Sequence, residues 1–167
     1  MDPAQTINRL KQLLAGKWAG EGFAQFPTIE ATAYTERTEF RPDEYKDSIF
    51  FEQKTWYRNY TPQNGHTVFW DTGFILVRDD HILLHSAQVG GRIEQYRLTE
   101  CNADPLPAAR FVFDSSAILV DPKAVRSQRI FTISRDTFDA IDYELNMATH
   151  QAPEFQNHLK ARLRRTA

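Results

Sequence analysis

The chain of 167 residues has little of several features that define whole classes of protein. Its one cysteine, Cys101, excludes an internal disulfide, so we expect a reducing, cytoplasmic location. The 20 Lys and Arg residues are balanced by 22 Asp and Glu residues, which argues against nucleic-acid binding. The apolar run Phe74–Val77 is far too short to cross a bilayer, so we expect no membrane insertion.

Aromatic residues, by contrast, are plentiful. The 12 Phe, 6 Tyr and 3 Trp residues make up 13% of the chain, although its hydrophobic fraction of 41% is ordinary. A chain of this length buries a core of its own, so we expect a single domain over residues 1–167. The fold must therefore accommodate many large, flat side chains.

The N-terminus has the pattern of an amphipathic helix, which we predict over about residues 3–15. Asp2 suits the N-cap, Pro3 suits the first helical position, and Gly16 follows the end. One face carries the apolar residues at helical spacing, namely Ile7, Leu10, Leu13 and Leu14. A helix with one apolar stripe must pack against the rest of the molecule.

After Gly16 the apolar residues follow the period of a β-strand, and turn signals such as Asn64-Gly65 divide the chain into short segments. The ten predicted strands are 17–25, 31–40, 48–59, 67–77, 81–88, 92–99, 110–119, 128–135, 137–147 and 155–164. Short connections without a repeated helical pattern indicate an antiparallel all-β protein.

The arrangement of these strands favours an up-and-down barrel over about residues 17–165 rather than a sandwich. One leading helix followed by successive hairpins is typical of a barrel, and closure removes exposed sheet edges. About ten strands would enclose more space than their own side chains fill, so we expect a ligand cavity lined by aromatic residues.

The histidines give no metal site by spacing alone. His81 and His85 lie in a predicted strand, where four residues span roughly 13 Å, so they cannot bind one metal ion. His66 follows the Asn64-Gly65 turn and is expected in a solvated loop. His158, near the chain end, becomes a candidate only through the sequence that surrounds it.

The segment after the helix is a Gly-x-Trp-x-Gly-x-Gly motif formed by Gly16, Trp18, Gly20 and Gly22. A bulky Trp18 would plug one end of a barrel, and the small glycines would permit strong strand coiling. Further segments follow in order, namely Phe26–Ile29, Tyr34–Glu36, Asp71–Ile75, Ser86–Gln88, Asn146–Thr149 and His158–Ala161. From Leu10 to Arg164 this series resembles the nitrobindins, haem-binding β-barrels of lipocalin-like and fatty-acid-binding-protein-like architecture.

The resemblance implies a barrel closed by the N-terminal helix and a haem b whose ferric iron is bound by one histidine, at the position of His158. It also implies binding of nitric oxide and isomerisation of peroxynitrite to nitrate. A neutral imidazole suits iron, and a single protein ligand leaves the opposite coordination position open. The other pocket positions implied by the match are Met147, Gln88, Val68, Phe69, Thr28 and Ile29.

Two features depart from this resemblance. Val68 and Phe69 stand where family members often carry a distal Met-His pair, so we expect a drier open side. Strict alternation in the last strand groups His158 with Lys160 and opposite Leu159, which would point His158 outward. Either a bulge or the start of the strand turns His158 inward, or haem is not bound through it. The family match on both sides of the segment favours the first.

Two other functions remain open from the sequence. The same barrel without haem would carry an apolar, fatty-acid-like ligand between aromatic residues such as Trp56, Trp70, Phe74 and Tyr143. A fully plugged barrel would serve interaction instead. Either a monomer or a homodimer is compatible with the sequence.

Overall fold

The computed structural model describes residues 2–25, 31–102, 108–134 and 139–166. Helix α1 (Pro3–Leu14) is followed by ten strands, β1 (Gly16–Ala24), β2 (Thr32–Pro42), β3 (Ser48–Tyr57), β4 (Thr67–Arg78), β5 (His81–Gln88), β6 (Ile93–Asn102), β7 (Ala108–Leu119), β8 (Ala124–Ser134), β9 (Ala140–Thr149) and β10 (Gln156–Thr166). Strand β8 begins four residues before the predicted strand, at Ala124 rather than Gln128, because residues 124–127 continue the pairing with β9.

The ten strands form a closed antiparallel barrel. Each strand pairs with its neighbours in sequence, and β1 pairs with β10 to close the ring. Closure pairs both edges of every strand, which removes the exposed edges that an open sheet would present. The predicted ten-stranded barrel is therefore confirmed. In this ring β5 stands five strands from β10 in either direction, so the two strands lie on opposite walls.

Helix α1 closes one end of the barrel. The Asp2 side chain accepts a hydrogen bond from the Ala4 amide at 3.0 Å, as expected for an N-cap. The apolar face of the helix is fully buried through Ile7, Leu10, Leu13 and Leu14. The buried Trp18 indole donates its Nε1–H to the Leu14 carbonyl oxygen at 2.7 Å, which joins the helix end to β1.

The glycines after Trp18 allow close approach of neighbouring groups to β1. A Cβ atom on Gly20 would lie 2.0 Å from the Arg162 carbonyl oxygen of β10, and one on Gly22 would lie 2.3 Å from the Tyr34 ring. Gly16 has a φ of +119°, a conformation that other residues rarely adopt. The motif thus combines a tryptophan inside the barrel with glycines where no side chain fits.

The half of the barrel next to α1 is filled by aromatic side chains. The Phe131 ring packs edge to face against Phe40 and Phe113, with ring centroids 5.9 and 6.1 Å apart, and lies 5.3 Å from the Tyr143 ring. Phe40, Phe131 and Tyr143 line an internal cavity of only about 10 Å³. Here the aromatic residues fill the barrel rather than line an open cavity.

Candidate functional site

The end of the barrel away from α1, where β5 ends and β10 begins, is called the open end. His158 lies here, on a bulge in β10. The register between β10 and β9 shifts between Asn157 and Leu159, so His158 is the extra residue of the bulge. Consequently both His158 and Leu159 are buried, at 1% and 0% exposure, and the alternation that would point His158 outward is broken. The bulge considered from the sequence is present.

Burial determines the charge of His158. Removal from water lowers the pKa of its imidazole, and the nearby positive charge of Arg92 lowers the pKa further. The ring is therefore neutral at pH 7, which is the form that can act as a metal ligand.

Arg92 is itself held between two carboxylates at the open end. Its Nε lies 3.5 Å from Glu94 Oε2, and its guanidinium nitrogen lies 3.4 Å from Asp121 Oδ2. Most of the Arg92 side chain is buried, with 13% of it exposed. These two contacts fix the cation that acts on His158.

Apolar residues from two walls accompany His158 at the open end. Met147 is buried on β9, where its register partner is Gln156, two residues before His158. On β4 the buried Phe69 pairs with Thr55, whereas Trp56 pairs with Thr67, so Val68 lies at a second bulge and is half-buried. We call His158, Met147, Phe69 and Val68, together with Gln88, the candidate pocket.

Gln88 is the last residue of β5 and follows the inward positions Leu84 and Ser86. Its register partner on β4 is Asp71, two residues after Phe69. Five of the seven predicted pocket positions thus lie at the open end. The other two, Thr28 and Ile29, lie outside the described residues.

A buried ionic cluster, which we call the Arg129 cluster, crosses the barrel below the candidate pocket. The Arg129 guanidinium lies 2.5 Å from Asp71 Oδ2 and 3.7 Å from Glu94 Oε2, and it donates to Ser86 Oγ at 2.9 Å. Ser86 Oγ in turn donates to Asp71 Oδ1 at 2.7 Å. All four side chains are almost completely inaccessible, so the cluster holds charge inside the barrel where water is excluded.

Glu94 connects this cluster to the candidate pocket. Its carboxylate accepts hydrogen bonds from Ser127 Oγ at 2.6 Å, from the Tyr96 hydroxyl at 2.8 Å and from Gln88 Nε2 at 2.6 Å. Charge-assisted hydrogen bonds of this kind are stronger than neutral ones. A continuous set of polar contacts therefore runs from the barrel interior to Gln88 at the open end.

A second buried carboxyl, Glu36, lies on the inner face of β2. Its Oε1 accepts hydrogen bonds from Thr38 Oγ1 and Gln53 Nε2, both at 2.8 Å. Burial raises the pKa of Glu36 to about 7, although these hydrogen bonds and the positive charge of Arg129 act in the opposite direction.

The sequence motifs included two residues of the Arg129 cluster, but the sequence analysis did not predict that they form a buried ionic cluster. Asp71 and Ser86 begin two of the segments that carry the family resemblance, but Glu94 and Arg129 were not among the predicted site residues. The available signal is the alternation itself, because Glu94 and Arg129 occupy inward positions beside Tyr96 and Phe131. A charged residue in inward phase on a barrel strand needs a buried partner.

Three aromatic residues lie on the outer face of the barrel, so the prediction that they surround the cavity is wrong. The exposed fractions are 38% for Trp70 and 48% for Phe74. Trp56 follows the inward Thr55, and the Lys54 ammonium lies 3.7 Å from the centre of the Trp70 ring and 5.6 Å from that of Trp56. Only the fourth aromatic predicted there, Tyr143, is inside the barrel.

The described part of the chain contains neither a bare-metal site nor a helix that could span a membrane. Among residues 2–25, 31–102, 108–134 and 139–166, no group of three or more His, Cys, Asp or Glu side chains could hold a bare metal ion. In the same ranges no helix is both long and apolar enough to span a membrane.

A closed ten-stranded barrel with a helix at one end and a buried histidine near the other places the chain among the small, helix-capped β-barrels. The chain belongs to the family described as THAP4-like, heme-binding beta-barrel domain, whose model matches residues 8–165. The resemblance to the nitrobindins is therefore confirmed. Membership in a haem-binding family also supports haem as the ligand class.

Two relatives carry the same activity in their names. Peroxynitrite isomerase 2 of Mycobacterium ulcerans (strain Agy99) is 29% identical over 157 residues, covering 91% of this chain and 90% of the relative. Peroxynitrite isomerase 1 of Rhodococcus jostii (strain RHA1) is 32% identical over 152 residues, covering 90% of this chain and 80% of the relative.

Solved structures share the fold. The crystal structure of Rv2717c from M. tuberculosis superposes with a TM-score of 0.74 at 20% identity, covering 96% of this chain and 98% of that one. The S-type phycobiliprotein lyase CPES from Guillardia theta gives a TM-score of 0.58 at 7% identity, with coverages of 100% and 94%. At these identities the likeness concerns architecture alone.

Proposed function

We propose that the chain binds haem b at the open end of the barrel and that His158 supplies the one protein ligand to the iron. The observation that carries this proposal is the β10 bulge, which buries a neutral histidine at the open end in a member of a haem-binding family. A regular strand would leave the same side chain on the outer surface.

The other residues at the open end fit a porphyrin. Met147, Phe69 and Val68 offer apolar contacts to a flat macrocycle, and the Arg129 cluster below them limits the depth of the space. Thr28 and Ile29 are proposed as further pocket residues from the family resemblance. In this proposal His158 binds the iron, the apolar side chains contact the porphyrin ring, and the Arg129 cluster limits the depth of the site.

We propose nitric oxide and peroxynitrite as the ligands, with isomerisation of peroxynitrite to nitrate as the reaction. Haem iron, when bound, supplies an open Lewis-acid coordination position at which such a ligand is polarised. His158 would hold the iron, and the apolar side chains of Phe69 and Val68 would exclude water from the site. The names of the Mycobacterium and Rhodococcus relatives support this activity for the chain. A cytoplasmic location remains part of the proposal.

Haem titration of the full chain tests the ligand assignment. We expect a Soret band that saturates at one haem per chain in the parent protein and is lost, or strongly shifted, in His158→Ala. The matched control is His150→Ala, which removes an exposed histidine from the turn between β9 and β10. An unchanged Soret band in His158→Ala would exclude His158 as the iron ligand. Stopped-flow decay of peroxynitrite then tests the reaction with the loaded protein.

A second candidate function is supported by the apolar Phe69, Val68 and Met147. Without haem, these residues would suit a small apolar molecule, which makes the protein a carrier. The haem titration distinguishes the two functions, because a carrier would bind the apolar ligand and take up no haem.

A further inference from the structure

The open end has a polar residue directly across the barrel from His158. Strand β5 is five strands from β10 in both directions around the ring, and Gln88 is its last residue at the open end. Gln88 continues the inward phase of Leu84 and Ser86. Its side chain therefore belongs to the wall that a ligand of the iron would face.

The neighbouring position on that wall cannot donate a hydrogen bond. Phe69 on β4 has an apolar ring, and its register neighbour Asp71 is occupied by Arg129 and Ser86 inside the Arg129 cluster. Gln88 carries two amide N–H groups and is the register partner of Asp71, two residues after Phe69, in the β4–β5 pairing.

Glu94 determines how the Gln88 amide is oriented. A carboxylate only accepts hydrogen bonds, so the amide must turn its nitrogen, not its oxygen, toward Glu94 Oε2 at 2.6 Å. The Tyr96 hydroxyl and Ser127 Oγ hold the same carboxylate in place from the β6 and β8 sides. One amide N–H is thus committed to Glu94, and no acceptor within residues 2–25, 31–102, 108–134 and 139–166 takes the second N–H on the same nitrogen.

The backbone of Gln88 is fixed as well. Its amide N–H donates to the Arg92 carbonyl oxygen at 2.9 Å, and its carbonyl oxygen accepts from the Gly91 amide at 2.8 Å. The residue is therefore held at both main chain and side chain, which favours a preorganised donor over a mobile one.

We propose that Gln88, oriented by Glu94, donates the hydrogen bond that a ligand of the haem iron receives on the side opposite His158. This inference rests on the proposed haem binding. It assigns to a glutamine on β5 the task that the phenyl ring of Phe69 on β4 cannot perform, and it makes Glu94 a positioning residue. The open side is then apolar around one oriented donor.

Fluoride binding to the ferric, haem-loaded full chain tests the donor. Fluoride is a small anion that accepts hydrogen bonds, and a charged hydrogen bond contributes enough that its loss weakens binding about ten-fold. We expect this weakening in Gln88→Leu, together with a higher carbon–oxygen stretching frequency of carbon monoxide on the reduced protein. The Soret band should remain, because the iron ligand is unchanged.

The control substitution is Gln95→Leu, which makes the same change on the outer face, where Gln95 contacts His85 and Ser116. It should leave both fluoride affinity and the carbon monoxide frequency at parent values. Parent-like fluoride binding in Gln88→Leu would overturn the inference, while haem binding itself would stand. A parent protein that takes up no haem would instead overturn the proposed function and this inference together.

The role of Glu94 is tested by a double-mutant cycle. If Glu94 acts through Gln88, then Glu94→Gln weakens fluoride binding in the parent but adds nothing in the Gln88→Leu background. Additive losses would contradict the positioning role. Should Glu94→Gln fail to fold, Glu94→Asp keeps the charge of the Arg129 cluster and withdraws the carboxylate from Gln88 by one methylene.

Discussion

At the scale of single residues, the interior of this barrel contains ionisable groups in positions that apolar side chains usually occupy. Arg129, Asp71, Glu94 and Glu36 are all buried. A buried charge is tolerated when partners replace the water that it loses, and Arg129 has carboxylates within 2.5 and 3.7 Å. Glu36 accepts hydrogen bonds from Thr38 and Gln53 but forms no ion pair with any residue that the structure describes, and its protonation therefore depends on pH.

Glu36→Gln should remove a pH dependence of stability. The native pKa of about 7 lies above the usual value near 4.5, so the native state binds the proton more tightly than the unfolded state. The contribution of Glu36 to the free energy of unfolding is therefore fully present below pH 4.5 and is lost as the pH rises through about 7. The loss is roughly 3 kcal/mol, at about 1.4 kcal/mol for each pKa unit.

Urea unfolding of parent and variant at pH 4.5, 6 and 7.5 measures this effect. The stability of Glu36→Gln relative to the parent should rise across that range, because the variant has no carboxyl to ionise. Glu39→Gln, on the outer face of the same strand, is the control and should follow the parent at each pH. A constant difference between Glu36→Gln and parent would show that Glu36 does not titrate in this window.

At the scale of strands, the alternation of apolar residues predicts where the strands lie, whereas bulges change which face a side chain occupies. The period-two pattern predicts the ten strands because each strand alternates between a buried and an exposed face. It predicts His158 on the wrong face, because a bulge is an exception to the period. The sequence of β10 alone does not reveal the bulge, because the pairing with β9 sets the register. From the sequence, the bulge could be inferred only if His158 was assumed to face inward.

Strand β4 shows a second reason why pattern alone is insufficient. Here the charged Asp71 faces inward and the large apolar Trp70 faces outward, which reverses the usual relation between hydrophobicity and burial. Trp70 is stabilised outside by a hydrogen bond to Glu52 at 2.9 Å and by the Lys54 ammonium over its ring. The prediction that Trp70 faces the cavity is wrong for this reason.

Gly20→Ala should destabilise the contact between β1 and β10. The added methyl group would lie 2.0 Å from the Arg162 carbonyl oxygen, and backbone in a closed barrel cannot move aside as a side chain can. We expect a loss of about 1–3 kcal/mol in the free energy of unfolding, typical of overpacking. Chemical denaturation by urea, followed by tryptophan fluorescence, provides the measurement.

The control for that substitution is Gly90→Ala in the turn between β5 and β6. A Cβ atom there meets no atom within 4 Å, and Gly90 is not among the glycines with positive φ. The free energy of unfolding should stay the same or rise by about 0.4–1 kcal/mol, since alanine restricts the unfolded chain. Equal losses in the two variants would mean that the close approach of β10 does not explain the glycine at position 20.

At the scale of the whole molecule, the barrel brings together residues that are distant in sequence. Arg129 on β8 meets Asp71 on β4 and Glu94 on β6 only in the folded barrel, so strand alternation can place these side chains inside but cannot identify their partners. His158, Met147, Phe69, Val68 and Gln88 could be placed because a family resemblance supplied their shared location. What the resemblance did not supply was the ionic cluster that separates this pocket from the aromatic core.

That separation predicts which apolar ligands the protein can take. A linear chain entering at the open end would meet Arg129, Asp71 and Glu94, and beyond them a cavity of about 10 Å³ among packed rings. Carboxylic acids of increasing length, added to haem-free protein and followed by calorimetry, should therefore gain affinity only over the first few methylenes. A gain of about 0.8 kcal/mol for every methylene, up to sixteen carbons, would mean that the core opens to admit the tail. A plateau is the result expected of a shallow site, which accepts a flat ring across the open end and excludes a long chain along the barrel axis.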